Sequence, residues 1–390
     1  MMWMCIQVGA FLLILTALFI VRRAGLQRNW WTLRLRLGLA AVLACAVVYL
    51  KRDEPVWPVV ERNQAALAGL NNDEATYLLT LRYSTGAGSG GRVFTAPKNS
   101  LSFPSENAKR RDYLLAHRAE IEANWAELAE VRAWWAEMAA QDSLGDRSTW
   151  DVDQSFIRFG PVRFYQQTAL ALAQLQALDG DGDGAMTRVR EVYKVGANLE
   201  RPACTLVRGM IAVVVQKEAL KAADFILDYA VVSKEARERF AEQVASSPAG
   251  NSRIGALFLA EARYASSSIS NISRFAWRQP SDGWHEVLFT TIGAGFRWLA
   301  FNPQETVNRV HERMAQTALL ADARDFVKLN ELDETINEEQ LGGFQVKNIA
   351  GRMMIPMLSS AFDKIAKSFW EKEDLRAALV LRLRAQDGEK

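Results

Sequence analysis

Apolar positions in this chain follow two patterns. From Met1 to Val21 (MMWMCIQVGAFLLILTALFIV) they run almost without interruption, and beyond Arg52 they recur at the three-, four- and seven-residue spacings of amphipathic helices. The first run carries no charge, and 21 residues rising about 1.5 Å each reach ~31 Å, the thickness of a bilayer's hydrocarbon core. It predicts a transmembrane helix. A second uncharged run, Leu37 to Leu50 (LGLAAVLACAVVYL), spans if Arg34 and Arg36 snorkel to the headgroups, with Trp30 and Trp31 in the aromatic belt. Arg22, Arg23, Arg28, Arg34 and Arg36 lie between the two runs with no acidic residue, so the positive-inside rule keeps that loop cytoplasmic. Residues 1–52 are therefore expected to form a transmembrane helix or hairpin in a bacterial cytoplasmic membrane. The lipid bilayer would be contacted through residues 1–50 and the body would be extracytoplasmic, or cytoplasmic if the second run only lies on the membrane surface.

Residues 53–105 read as short helices and a linker. A helical stretch runs from Pro55 to Arg82, with Asn71 and Glu74 spaced as a capping box. Ser84 to Ser105 (STGAGSGGRVFTAPKNSLSFPS) is a Gly/Ser/Pro-rich linker. Residues 106–390 read as an α-helical body. Its longest helix is expected over Glu106 to Gln141, where Leu114, Ile121, Trp125, Leu128, Trp135 and Met138 form one apolar stripe. Glu120, Glu122, Glu127, Glu130 and Arg132 fall off that stripe and read as a solvated face.

Helices are then expected at Val162–Leu178, Ala185–Leu199, Ala203–Tyr229, Ser233–Val244 and Ser252 to about Ser267. The run MIAVVV at Met210 to Val215 could pair as a strand, but the flanking QKEALKAADF makes it buried helix. Asn302, Pro303 and Glu305 supply an N-cap, an N1 proline and an N3 acid for a helix through Ala321, and a final pair is expected at Ile349–Ser368 and Lys372–Arg384. Trp284 to Phe301 is too interrupted to span a bilayer and reads as core, with contact to the membrane or a partner as the alternative. The fold class is all-α, a transmembrane helix or hairpin followed by a helical-repeat-like body.

Composition narrows the function classes. The formal charge is +2, with basic and acidic residues interleaved, so no stripe suited to a phosphate backbone exists and nucleic acid is excluded as a partner. Cys5 and Cys45 lie in the membrane segments, leaving Cys204 alone in the body, where its repeat with Val207, Ile211 and Val214 reads as a buried structural thiol.

Chemistry-bearing motifs are few. Asp179, Asp181 and Asp183, in DGDGDG, match the opening of an EF-hand calcium loop, but Arg190 stands where the bidentate glutamate belongs. The alternative is a turn between antiparallel helices, with aspartates favouring the second helix's N-terminus through its dipole. His117, His285 and His311 are solitary, and no nucleotide loop or nucleophile elbow occurs, so no cofactor and no catalytic residue is expected beyond that calcium alternative.

Three segments together carry a resemblance: TALALAQLQALDGDGDGAMTRVREVYKVGANLERP, WLAFNPQETVNRV, and NIAGRMMIPMLSSAFDKIAKSFWEKEDLRAALVLRLRA. In that order they resemble a group of bacterial membrane-anchored α-helical proteins whose first hairpin is tetratricopeptide-like (TPR-like). No activity is established for the group, so the resemblance implies architecture alone. The expected function is a membrane-tethered scaffold or protein-interaction platform at the cell envelope, with a protein or peptide partner. The rival is an envelope hydrolase with an acid pair assembled by folding.

Overall fold

A computed structural model of the protein describes residues 38, 40–42, 54–67, 79, 103–104, 106–145, 159–201, 205–247, 254–275, 302–332 and 362–385. Among these every regular element is helical. The elements are α1 (Pro58–Leu67), α2 (Asn107–Ala116), α3 (Arg118–Glu127), α4 (Ala129–Ala140), α5 (Gly160–Leu178), α6 (Gly182–Glu200) and α7 (Leu206–Tyr229). They continue with α8 (Lys234–Ser246), α9 (Ile254–Phe275), α10 (Pro303–Asp322) and α11 (Phe362–Ala385). The spans expected at Met1–Val21 and Leu37–Leu50 lie outside the described residues, apart from 38 and 40–42. So do the Asn71/Glu74 capping box, the linker's central stretch and Trp284–Phe301. Among the described residues no helix is long and apolar enough to cross a membrane.

The expected long helix over Glu106–Gln141 is three helices with single-residue breaks. At His117 the ring Nδ1 and the backbone N–H both bond the Tyr113 carbonyl, at 2.8 and 3.0 Å. At Leu128 the N–H bonds Trp125 O at 3.3 Å, a tightening to three-residue spacing. The breaks let the run wrap its neighbours: α2 and α3 lie on α5, while α4 lies on α6. Leu114, Ile121, Leu128, Trp135 and Met138 are buried as the stripe requires, and Trp125 is half-buried between the Arg132 and Arg188 guanidiniums.

Helix α5 is apolar or small on nearly every face, which demands burial all round. It sits between α2 and α3 on one side and α6 and α7 on the other. The main core joins α4 to α8 and the C-terminal half of α11, with Trp135, Tyr165, Tyr193, Ile226, Phe240 and Leu379 among its members. A second core gathers Val60 of α1, Leu206 and Val213 of α7, Phe258 of α9, Met314 of α10, and Phe362 and Trp370 of α11. Helices α7 and α11 pass through both.

Three sequence expectations change here. Helix α1 is part of the body: Asn308 accepts the Trp57 N–H at 3.2 Å and donates to Pro55 O at 2.8 Å. The expected final pair is one helix through residues 368–372, because Phe369, Trp370 and Lys372 are all buried there and no breaking residue intervenes. MIAVVV is helical within α7, but its Val207–Ile211–Val214 line is the outer face, with Val207 exposed; Cys204 lies outside the described residues.

Candidate functional site

The DGDGDG segment is a helix-to-helix turn whose three aspartates serve three different partners. Asp179 takes both guanidinium nitrogens of Arg118 at 2.8 Å, and that pairing holds its carboxyl below the ordinary range. Asp181 caps α6 by accepting the Gly184 N–H at 2.9 Å, and Asp183 accepts the Ser233 N–H at 2.7 Å. Gly180 closes α5 at φ 92°, a left-handed conformation in which the Gly180 and Asp181 N–H groups bond Ala177 O and Gln176 O. Gly182 lies against the backbone of Val231, where a Cβ would stand 2.3 Å from the carbonyl oxygen. The geometry thus matches the turn reading. Among the described residues no group of three His, Cys, Asp or Glu side chains is placed to hold a metal ion.

What the turn builds is a groove. Because Asp183 holds the N-terminus of α8, α6 and α8 start side by side and run in the same direction, while α7, which joins them in sequence, packs back along α6. Further along, Gln243 Nε2 of α8 donates to Arg190 O of α6 at 3.0 Å, and Ser247 hydrogen-bonds Tyr193. The segment after α4 closes one end: Asn198 Nδ2 donates to Gln141 O at 2.5 Å, and Arg201 donates to Asp142 O at 2.7 Å.

The resulting cleft encloses about 650 Å³. Its charged lining among the described residues is Arg190, Lys194, Arg201, Arg239, Asp142 and Glu242. The side chains of Arg190, Lys194 and Arg239 have neither hydrogen bond nor ion pair among the described residues. Four cations thus face two carboxylates across a concave polar surface, an arrangement that attracts anions. Arg190, which stands at the misfit twelfth position of the calcium pattern, is a wall of this groove.

The remaining candidates are structural. His117 stacks on Tyr113 with ring centroids 4.0 Å apart. His311 is fully buried; Asn63 donates to its Nδ1 at 3.2 Å and its Nε2 lies 3.0 Å from Ser266 Oγ. His285 lies outside the described residues. Burial pushes the carboxyls of Glu191, Glu261 and Asp322 up. Glu261 accepts the Leu206 N–H and Asp322 the Gly255 N–H, while Glu191 feels Arg188. None of the three shifts another, and none lines the groove.

Sequence reading missed the groove because α6 and α8 are separated by the whole of α7. A partial signal exists in Arg190, Lys194 and Arg201, spaced four and seven residues apart on one face of α6. Comparison with protein-family models, curated proteins and solved structures returns no match.

Proposed function

We propose that the protein is a membrane-tethered helical binding platform of the bacterial envelope, and that the groove between α6 and α8 receives an anionic group of its partner. One observation carries this reading: three cations, Arg190, Lys194 and Arg239, converge on a 650 Å³ cleft with no intramolecular partner among the described residues. Cations held this way leave their charge available to a ligand. Helices α5, α6 and α7 pack on one another in succession, and helical hairpins set side by side in this way would leave an extended binding face. The uncharged run Met1–Val21 supports the tether.

A hydrolase would need two carboxyl groups in one cleft with their titrations pushed apart. The raised carboxyls Glu191, Glu261 and Asp322 are separate, and two of them accept backbone N–H groups at helix starts.

The test is hydrogen–deuterium exchange of the full chain in nonionic detergent, with and without millimolar tripolyphosphate, citrate or decaglutamate. At least one of these anions should slow exchange within α6 and α8, and the double substitution Lys194→Glu with Arg239→Glu should abolish that protection. If no anion protects either helix, the groove is not a binding site and the reading is wrong.

A further inference from the structure

We infer that the occupant of the groove is an acidic peptide segment lying extended along α6, with carboxylate side chains spaced to meet its row of cations. This rests on the groove reading above and deepens it by ligand class.

The first argument is the layout of charge. Arg190, Lys194 and Arg201 follow one face of α6, so at about 1.5 Å of rise per residue they spread over roughly 16 Å. A single phosphate is held by donors that converge on one point, usually including backbone N–H groups at a helix N-terminus. This cleft lies along the middle and C-terminal turns of two parallel helices, which offer carbonyls and the negative end of the dipole. A row of separated cations fits separated anions. An extended peptide of about five residues covers roughly 16 Å, and side chains two positions apart on one face sit roughly 6.6 Å from each other, close to the ~6 Å rise from Arg190 to Lys194.

The second argument is the polarity of the uncharged lining. Asn198 gives its amide N–H groups to Met138 O and Gln141 O, Gln243 gives one of its own to Arg190 O, and Ser246 gives its hydroxyl proton to Gln243 O. What these side chains keep is mainly acceptor oxygens, and Asp142 and Glu242 add acceptors. A phosphate, chiefly an acceptor, would face them unfavourably. A peptide brings backbone N–H donors for those oxygens and carboxylates for the cations, so it satisfies both halves of the lining.

The experiment titrates the full chain in nonionic detergent with fluorescently labelled decaglutamate, followed by anisotropy, and compares displacement by tripolyphosphate at matched ionic strength. Decaglutamate should bind at least tenfold tighter than tripolyphosphate. Lys194→Glu and, separately, Arg239→Glu should each weaken it about tenfold or more, while Lys109→Glu on the distant surface of α2 leaves it unchanged. Among the described residues neither groove side chain has an intramolecular partner, so the variants should keep the parent's melting temperature. If tripolyphosphate binds as tightly as decaglutamate and is lost in the same variants, the peptide assignment is overturned while the groove reading stands. If neither anion binds, or binding ignores both groove substitutions, both are overturned.

Discussion

Lys372 and Glu200, 172 positions apart in sequence, meet inside the protein with the ammonium 2.8 Å from both carboxylate oxygens. Lys372 is 1% exposed and Glu200 5%, and the pair is completed by Glu373 at 3.1 Å from the ammonium and by the Gln216 amide, which donates to Glu200. On α11 this lysine stands between Phe369 and Trp370, which belong to one core, and Leu379 and Leu383, which belong to the other. It ties the last turn of α6 to α11, one of the two helices that cross both cores.

Removing one partner of a buried ion pair strands the other charge at a cost of about 3–5 kcal/mol, while removing both together can be nearly neutral. Lys372→Met should therefore lower the unfolding free energy by that amount in urea titrations read by tryptophan fluorescence. Adding Glu200→Gln should restore most of it, because glutamine can still accept from Gln216. A double variant as unstable as the single one would show that the ion pair is not what holds this joint.

The turn reading of DGDGDG has a matching pair of consequences. Asp181→Ala removes the cap on Gly184 and should cost about 1 kcal/mol. Gly182→Ala forces a Cβ onto Val231 O, where backbone must shift, and should cost about 1–3 kcal/mol. Thermal melts of the full chain should show both losses unchanged in millimolar calcium. A melting temperature that rises with calcium in the parent and not in Asp181→Ala would restore the calcium site.

His311 carries the pH dependence. Ser266 gives its hydroxyl proton to Ala262 O, so it accepts from His311 Nε2, while Nδ1 accepts from Asn63; the ring is neutral with its proton on Nε2. Burial pushes its pKa down to about 4 from an ordinary 6.5. Between those values the unfolded chain binds a proton that the folded one refuses, so stability falls as pH drops through this window and levels off below it. The loss totals roughly 3 kcal/mol. Unfolding titrations at pH 7, 5.5 and 4.5 should show this fall in the parent and a shallower one in His311→Gln. Parallel curves for the two proteins would rule out this histidine as the source.

Local pattern was enough for most helices because their signals are local. Asn302, Pro303 and Glu305 announce α10, and the side chain of Asn302 does accept the Glu305 N–H at 3.1 Å. The stripe through Leu114, Ile121, Leu128, Trp135 and Met138 identifies the buried face of α2 to α4, since burial follows helical periodicity whatever the neighbours are. The breaks at His117 and Leu128 were not legible. They leave the apolar spacing intact and depend on one ring nitrogen and on where α5 and α6 lie.

Periodicity and capping residues by themselves determined that the body is helical and where most of its helices begin and end, because a helix's hydrogen bonds and its amphipathic face are written within a few residues of sequence. Only the tertiary structure decided what the charged residues do. Lys372 and Glu371 are neighbours in sequence, yet one is buried against Glu200 and the other is exposed beside Lys217. Asp179, Asp181 and Asp183 alternate like calcium ligands, yet they answer to Arg118, Gly184 and Ser233 on different elements. Arg190 and Arg239 become one groove only because α7 folds back and sets α6 beside α8. A charge takes its meaning from what lies within a few ångströms of it, and those neighbours are brought together by packing across distances that no local pattern encodes.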